Sequence, residues 1–348
     1  MKKPELSIII PAYNVEQRIK RCIKSVMRQQ GLDKCEIIIV DDCSTDATPT
    51  ILDSFANAHK DLIKVFHLPK NSGVSVARNV GIEASKGKYV TFGDADDAVG
   101  LDVNKFDKYF SDKPSTIGEL NTYTQLCGIA SPTQTDYDDK YFVNMLSAAD
   151  QGHYKADVVL GGHIAIYRNA QCMTRRTYSK ETVRGQDSKD ILLIEAAERE
   201  NANFALYSRK LLDTHNLRFM ANMNLDEDIL FCMLAVLYAD NVATAPDVTY
   251  FYDHHCGTLS NMYDEKKHKI AQIQKYSVLA NEIAKMPQYM IPKVFGYWAP
   301  FYIRYADIRR TECLSLQCPK ENCADCPVAK TVLARSEQSI EKYFPKHR

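Results

Sequence analysis

Carboxylates are the most concentrated chemistry in this sequence. Asp41 and Asp42 follow one apolar run, and Asp94, Asp96 and Asp97 follow another. Five such groups on two turns repel one another unless a cation, basic side chains or ligand donors compensate. The Asp94-Ala95-Asp96 spacing suits a hard divalent cation, because Mg2+ and Mn2+ take oxygen ligands and keep places for water and ligand phosphate. A cation there would in turn bind a diphosphate. Arg78 offers a two-pronged donor to phosphate or carboxylate. A third acidic stretch, Asp226-Glu227-Asp228, opens an apolar run and suits the positive end of a helix. Taken singly, Asp41, Asp42 and Asp46 also serve as turn and N-cap residues, and the 94–97 stretch as a solvated turn.

Cysteine is the second unusual feature. The total of 11 is odd, which argues against a complete disulfide framework. Seven are scattered, several within apolar runs, and read as buried thiols. Cys313, Cys318, Cys323 and Cys326 instead crowd together as C-x4-C-x4-C-x2-C. Four thiolates are what a structural Zn2+ needs. Disulfides, an iron–sulfur cluster and unlinked thiols stay open beside that reading.

The elements that must position these groups are legible in the first hundred residues. Leu6–Ile10 reads as a strand ended by Pro11. Val15, Ile19, Cys22, Ile23, Val26 and Met27 recur at helical spacing, with Gly31 closing the helix. Glu36–Val40 is a second strand. Pro49 suits the first turn of the helix that carries Ile51, Leu52 and Phe55. Ile63–His67 is a third strand, a helix runs from about Val74 to Ser85, and Lys88–Phe92 is a fourth strand. Continuous apolar strands alternating with helices imply a parallel sheet buried on both faces. All the strands then point one way, so the acidic turns share the carboxyl edge, where open α/β sheets bind ligands.

Later segments are less sharply patterned. Residues 98–155 are polar and read as an insertion near the site, of lid-like character. Asp157–Gly162 reads as another strand near the sheet centre. Arg175, Arg176 and Arg184 fall where an anionic acceptor or plain solvent would meet them. From about residue 262 the pattern turns helical. Tyr297, Trp298, Phe301 and Tyr302 there stand among Lys293, Arg304 and Arg309. That composition fits a membrane interface, and equally the packing of C-terminal helices onto the rest of the chain.

Bulk composition narrows the classes. At 348 residues there is room for two domains, and 45% hydrophobic content with 25% charged is globular. The 44 basic and 44 acidic side chains cancel, which removes the positive field a nucleic-acid binder needs. No apolar run reaches the length of a membrane span, and Leu6–Ile10 is too short for a signal-peptide core. The expectation is a cytoplasmic protein, with peripheral attachment to the inner face of the membrane as the variant that the aromatic segment would support.

Four stretches carry a resemblance: Leu6-Ser-Ile-Ile-Ile-Pro-Ala-Tyr-Asn14, Glu36-Ile-Ile-Ile-Val-Asp-Asp-Cys-Ser-Thr-Asp46, Asn71-Ser-Gly-Val-Ser-Val-Ala-Arg-Asn-Val-Gly81 and Gly87-Lys-Tyr-Val-Thr-Phe-Gly-Asp-Ala-Asp-Asp97. In this order and spacing the chain resembles the family 2 glycosyltransferases, which have the GT-A fold. Cys43 replaces a usual glycine and Ala95 a common serine, and neither change removes a ligand. The resemblance implies an α/β fold with a Rossmann-like, mixed but mostly parallel sheet flanked by helices. Residues 1–261 would be the catalytic domain and 262–348 a C-terminal helical extension.

The resemblance also implies roles. Pro11, Tyr13 and Asn14 would line the donor site, with Tyr13 stacking on the base. Asp42 would accept a hydrogen bond from that base, uracil. Arg78 would lie near the donor's phosphates or sugar. Asp94 and Asp96 look like the Asp-x-Asp pair that binds Mn2+ or Mg2+, Asp96 being the more direct ligand. Asn203–Leu212 looks like the family's acceptor-side segment, and Asp226-Glu227-Asp228 like its Glu-Asp motif, which makes Asp228 the general base. His254 or His255 would contact the diphosphate or complete the metal site. The implied activity is inverting transfer of a sugar from a UDP-sugar to a saccharide or lipid-linked acceptor, in surface polysaccharide or glycoconjugate synthesis. A nucleotidyltransferase would carry a Gly-rich basic loop after the first strand, which Pro11-Ala12-Tyr13-Asn14 is not. A non-enzymatic sugar-nucleotide binder would have no use for Asp94, Asp96 and Asp228 together.

Overall fold

The structure is a computed structural model. It describes residues 3–100, 138–152, 155–167, 202–221 and 225–254, short strands at 115–117, 120–123 and 172–176, and single positions 223, 271, 275, 278, 279, 282 and 285. The first hundred residues form β1 (Leu6–Ala12), α1 (Ile19–Met27), β2 (Cys35–Asp41), α2 (Thr48–Ala58), β3 (Ile63–His67), α3 (Val74–Ala84) and β4 (Tyr89–Phe92). Strands β3, β2, β1 and β4 lie side by side in that order, all parallel. Every residue of β1 and β2 is buried, as continuous apolar strands require when both sheet faces are covered.

Alternation along the strands sorts the core into two layers. Ile9, Ile38, Val40 and Phe92 face the layer that holds Ala77 and Ile82 of α3. Ile8, Ile10, Ile37 and Ile39 face α1 and α2, through Ile19, Ile23 and Leu52. Gly31 takes φ 77 after α1, a left-handed turn that favours glycine. Pro49 occupies the first turn of α2. Strand β1 does not stop at Pro11 but runs to Ala12. Its pairing with β4 ends at Ile9, while its pairing with β2 continues through Pro11 opposite Val40. The proline thus falls where only one neighbour remains, a place a strand tolerates it.

The second half turns the sheet into a mixed one. After β5 (Ala98–Val99), β6 (Ser115–Ile117) and β7 (Leu120–Tyr123) comes α4 (Tyr141–Ala149). Then follow β8 (Val158–Tyr167), β9 (Cys172–Arg176), β10 (Ala205–Ser208), α5 (Arg209–Thr214), α6 (Glu227–Tyr238) and β11 (Val242–His254). Strand β10 runs antiparallel between β4 and β8, and β11 lies parallel to β8, with a register shift between Ala245 and Thr249. The strand expected at Asp157–Gly162 is therefore longer, and it is central as expected. Region 98–155 is not wholly an insertion over the site. Tyr141, Phe142, Met145 and Ala149 of α4 are buried in the core beside Ile10 and Val26. Their one-, four- and eight-residue offsets are a helical stripe that the polar sequence around them obscures. Among the described residues, no helix is long and apolar enough to cross a membrane.

Helix α3 presses hard on β1. A Cβ built on Gly81 would stand 2.3 Å from the Ile9 Cγ2 atom. That methyl sits on a β-branched carbon of a buried strand and has little room to yield. The clash in Gly81→Ala costs about 1–3 kcal/mol, more than the ~1 kcal/mol that alanine gains over glycine in a helix. The variant should melt a few degrees below wild type by differential scanning fluorimetry.

Candidate active site

The turns at the carboxyl edge brace one another. Asn14, at φ 50, donates its backbone N–H to Ser44 Oγ (2.9 Å) and accepts from the Thr45 N–H through Oδ1 (2.8 Å). Asp46 accepts from the N–H groups of Glu16 (3.1 Å) and Thr48 (2.9 Å). Burial alone would raise its pKa, but the hydrogen bonds from Thr48 and Glu16 outweigh burial and lower it. Asp41 accepts from the Ser44 N–H (3.1 Å) and holds His67 Nδ1 at 2.9 Å, while His67 Nε2 reaches Asp53 at 3.1 Å. The Asp41 hydrogen bond leads in raising the His67 pKa. Asp42 is nearly fully buried and accepts from the N–H groups of Ser72 and Gly73, both at 2.7 Å, so it fastens the β2 turn to the start of α3. Tyr13 stands apart from this brace at 47% exposure, its ring open to a stacking partner.

The acidic loop after β4 is held from beneath. The Asp97 N–H closes a turn on the Asp94 carbonyl (3.1 Å). Arg21 of α1 donates to the Asp96 carbonyl, and the Cys22 thiol to the Asp94 carbonyl at 3.4 Å. The Tyr250 hydroxyl, on β11, accepts from the Asp94 N–H and donates to the Asp97 carboxylate, both at 2.9 Å. Burial first, then the Asp97 charge, push the Cys22 thiol and the Tyr250 hydroxyl well above their usual pKa. Asp97 is thus spent on structure, in line with its place behind the Asp-x-Asp pair. Asp94 and Asp96 stay partly exposed.

Both oxygens of Asp94 are engaged: Oδ1 by Arg78 Nη2 (2.8 Å) and Oδ2 by Asn203 Nδ2 (2.7 Å). The other arm of Arg78, Nη1, donates to Glu227 Oε1 at 2.8 Å. This guanidinium is 3% exposed and lies 5.0 Å from the centroid of the Phe219 ring. Phe219 stacks on Phe231 at 4.1 Å, and Asn79 clamps its peptide with two reciprocal 2.8 Å hydrogen bonds. Burial works against the Arg78 charge, but Asp94, Glu227 and Asp228 together keep it protonated. Removing one member of such a buried pair costs about 3–5 kcal/mol, because the remaining charge is stranded.

Asp228 follows Glu227 in the first turn of α6. Its Oδ1 accepts its neighbour Ile229's N–H at 2.8 Å. Loss of water around the carboxyl, then the adjacent Glu227 charge, push its pKa up to about 7, with Arg78 pulling the other way. A carboxylate poised near neutrality is well suited to accept a proton. The turn before it is strained: Asp226 takes φ 60 and is held by the buried Lys275, whose Nζ lies 2.8 Å from Asp226 Oδ2.

The structure therefore brings Tyr13, Asn14, Asp42, Arg78, Asp94, Asp96 and Asp228 to the turns and helix starts along one side of the sheet, and Pro11 to the end of β1. Sequence reasoning left Arg21, Asn203 and Tyr250 without a role. Asn203 stood in a quoted motif, while nothing local marks Arg21 as a partner of a loop more than 70 residues away. His254 ends β11. His255, Arg184, the aromatic segment near Trp298 and the four clustered cysteines lie outside the described residues. For a cation the donor class is right. Asp96 and Asp94 supply carboxylate oxygens, and Asp94 also serves Arg78 and Asn203. Among the described residues no group of three or more potential ligands forms a cage.

Comparison with known proteins bears on the family and the fold. EpsH of Bacillus subtilis, a glycosyltransferase by name, is 27% identical over 270 residues, covering 76% of this chain and 65% of EpsH. TuaG of the same organism, named for teichuronic acid biosynthesis, is 44% identical over 95 residues, 27% of this chain and 37% of TuaG. The chain thus spans less than two thirds of either relative. The crystal structure of S. aureus TarS 1-349 in complex with UDP-GlcNAc superposes with a TM-score of 0.64 at 21% identity, covering 97% of this chain and 81% of that one, which establishes the shared fold. The family model for glycosyl transferase family 2 matches residues 7–183. That match takes in the braced turns, the Asp-x-Asp loop and Arg78, and the chain belongs to glycosyl transferase family 2.

Proposed function

We propose that this chain is an inverting glycosyltransferase. It moves a sugar from a nucleotide diphosphate donor, a UDP-sugar, to a hydroxyl on a saccharide or lipid-linked acceptor in surface polysaccharide or glycoconjugate synthesis. The observation that carries the reading is the Asp228 carboxylate, with its raised pKa, next to Glu227, which Arg78 ties to Asp94 of the acidic loop. The UDP-GlcNAc bound by TarS and the polysaccharide named for TuaG support the donor and product classes.

Tyr13 offers its open ring to the base, and Asp42 holds the adjoining loops so that the base meets a rigid wall. Asp96, with Asp94 in support, would hold Mn2+ or Mg2+, whose chemistry is to offset the diphosphate's charge as it departs. Asp228 takes the proton of the acceptor hydroxyl while that oxygen forms its bond to the anomeric carbon. The bond from that carbon to the diphosphate oxygen breaks on the opposite face, and the nucleoside diphosphate leaves with the electron pair. One carboxylate base with no covalent intermediate inverts the anomeric centre.

A thermal-shift screen of UDP-, GDP- and dTDP-sugars with Mn2+ should give its largest shift with a UDP-sugar, since a ligand that binds only the native state stabilises it. A larger shift with GDP-sugars would reassign the donor. Asp96→Ala should weaken UDP binding when Mn2+ is present and change it little when Mn2+ is absent, as read by calorimetry.

Asp228→Asn should bind UDP and Mn2+ as wild type does, yet lose transfer by about a thousandfold or more, within the range of a lost general base and its neighbours' alignment. In the wild type, kcat/KM should rise with pH along a limb centred near 7, because only the ionised carboxylate accepts the proton. A profile flat from pH 5.5 to 8 would contradict the assignment. The sign for stability is the reverse. The folded pKa lies above the unfolded value near 3.9, so the native state holds its proton more tightly, and the stability this contributes is lost as pH rises from about 4 through 7. The Asp228→Asn amide escapes that loss. Its melting temperature should exceed wild type by a few degrees at pH 8, with the gap closing at pH 4.

A further inference from the structure

Arg78 reads from sequence as a donor contact, but its surroundings assign it elsewhere. Its side chain is 3% exposed, Nη2 and Nη1 are each spent at 2.8 Å on Asp94 and Glu227, and the Phe219 ring lies 5.0 Å beneath it. These partners come from three separate parts of the chain: the loop after β4, the start of α6 and the segment before it. Asn79, the next residue of α3, secures Phe219 by its peptide. Asn203 takes the other oxygen of Asp94, so that carboxylate is fixed from both sides. Neither the guanidinium nor Glu227 has the exposure that contact with a diphosphate requires.

We propose that Asp94, Arg78 and Glu227 form one strut that sets the position of the base Asp228 relative to the Asp-x-Asp loop. Arg78 and Glu227 are then positioning residues for transfer rather than binding residues for the donor. Glu227 is adjacent to Asp228 in the first turn of α6, so moving its carboxylate moves the base. A planar guanidinium can donate along two directions at a fixed angle, which a lysine ammonium on a flexible stem cannot reproduce. The strut rests on the reading of Asp228 as the base, and the mechanical link itself can be tested apart from that reading.

The test uses the full chain with Arg78→Lys, Glu227→Gln and the double variant. UDP with Mn2+ is the binding probe in calorimetry, and UDP release from UDP-N-acetylglucosamine with Mn2+ is the turnover probe. UDP affinity should stay within about threefold of wild type. kcat should fall about a hundredfold for Arg78→Lys and about tenfold for Glu227→Gln, which keeps an acceptor for the guanidinium. The double variant should be no worse than Arg78→Lys alone, as expected of residues acting as a unit. In the unliganded protein, amide hydrogen exchange at 94–97 and at 227–231 should quicken together in Arg78→Lys. Glu227→Gln is nearly isosteric and carries the same kinetic test if Arg78→Lys fails to fold. Weaker UDP binding at unchanged kcat would make Arg78 a donor contact and overturn the strut, as would additive losses or loosening at one end only. Full turnover by Asp228→Asn would instead remove the base assignment, and the exchange measurement, which needs no donor, would still judge the strut.

Discussion

One buried positive charge organises the acidic centre of this protein. Three carboxylates, Asp94, Glu227 and Asp228, come within the field of the Arg78 guanidinium. A single cation cannot neutralise three anions in a medium of low polarity. The two with direct hydrogen bonds, Asp94 and Glu227, take its donors. Burial first, then the adjacent Glu227 charge, raise the Asp228 pKa, and Arg78, engaged by the other two, offsets only part of that rise. Under the proposed assignment of Asp228 as the base, that imbalance is what would make a proton acceptor available near neutral pH.

Holding that arrangement explains much of the surrounding architecture. The Asp94 loop is pinned through its backbone by α1 and β11, which leaves the Asp94 carboxylate for the centre. The aromatic stack of Phe92, Phe219 and Phe231 gives the guanidinium an apolar floor, and T-shaped contacts at about 5 Å tie that floor to the sheet. Gly81 allows α3 to lie against β1 where a methyl group would hold it away. The left-handed turn at Asp226 and its buried pair with Lys275 deliver the start of α6 to the same point. Such a pair yields little net stability against an apolar alternative, so its value here is placement.

The turns after β1, β2 and β3 are built on a different principle. They are tied by side chains bonding to backbone N–H groups: Asn14 to Thr45, Asp46 to Glu16 and Thr48, Asp42 to Ser72 and Gly73. These bonds satisfy donors that a turn leaves unpaired, and they make the wall rigid before any ligand arrives. Preorganisation of this kind lowers the ordering cost of binding. Tyr13 is left out of the network and exposed, with its ring open to a planar partner.

Sequence alone determined the parallel half of the sheet, since apolar runs such as Ile8–Ile10 and Ile37–Val40, too short for helices and alternating with helical segments, read as strands covered on both faces. It also determined which turns are acidic, and that they share an edge, because parallel strands leave no other option. Strand ends were less legible. Pro11 looks like a stop until its neighbours are known, because the cost of a missing N–H depends on which side is paired. The stripe of α4 was hidden by the polar residues around it. Tertiary structure alone decided what each charge does. Arg78 and Glu227 are 149 residues apart, as are many pairs that never meet, and hydrogen bonding at 2.8 Å turns a presumed phosphate contact into a link between carboxylates. Local spacing encodes which residues share a face; the partner of a buried charge is set by the crossing of distant elements, and that crossing leaves no periodic mark in the chain.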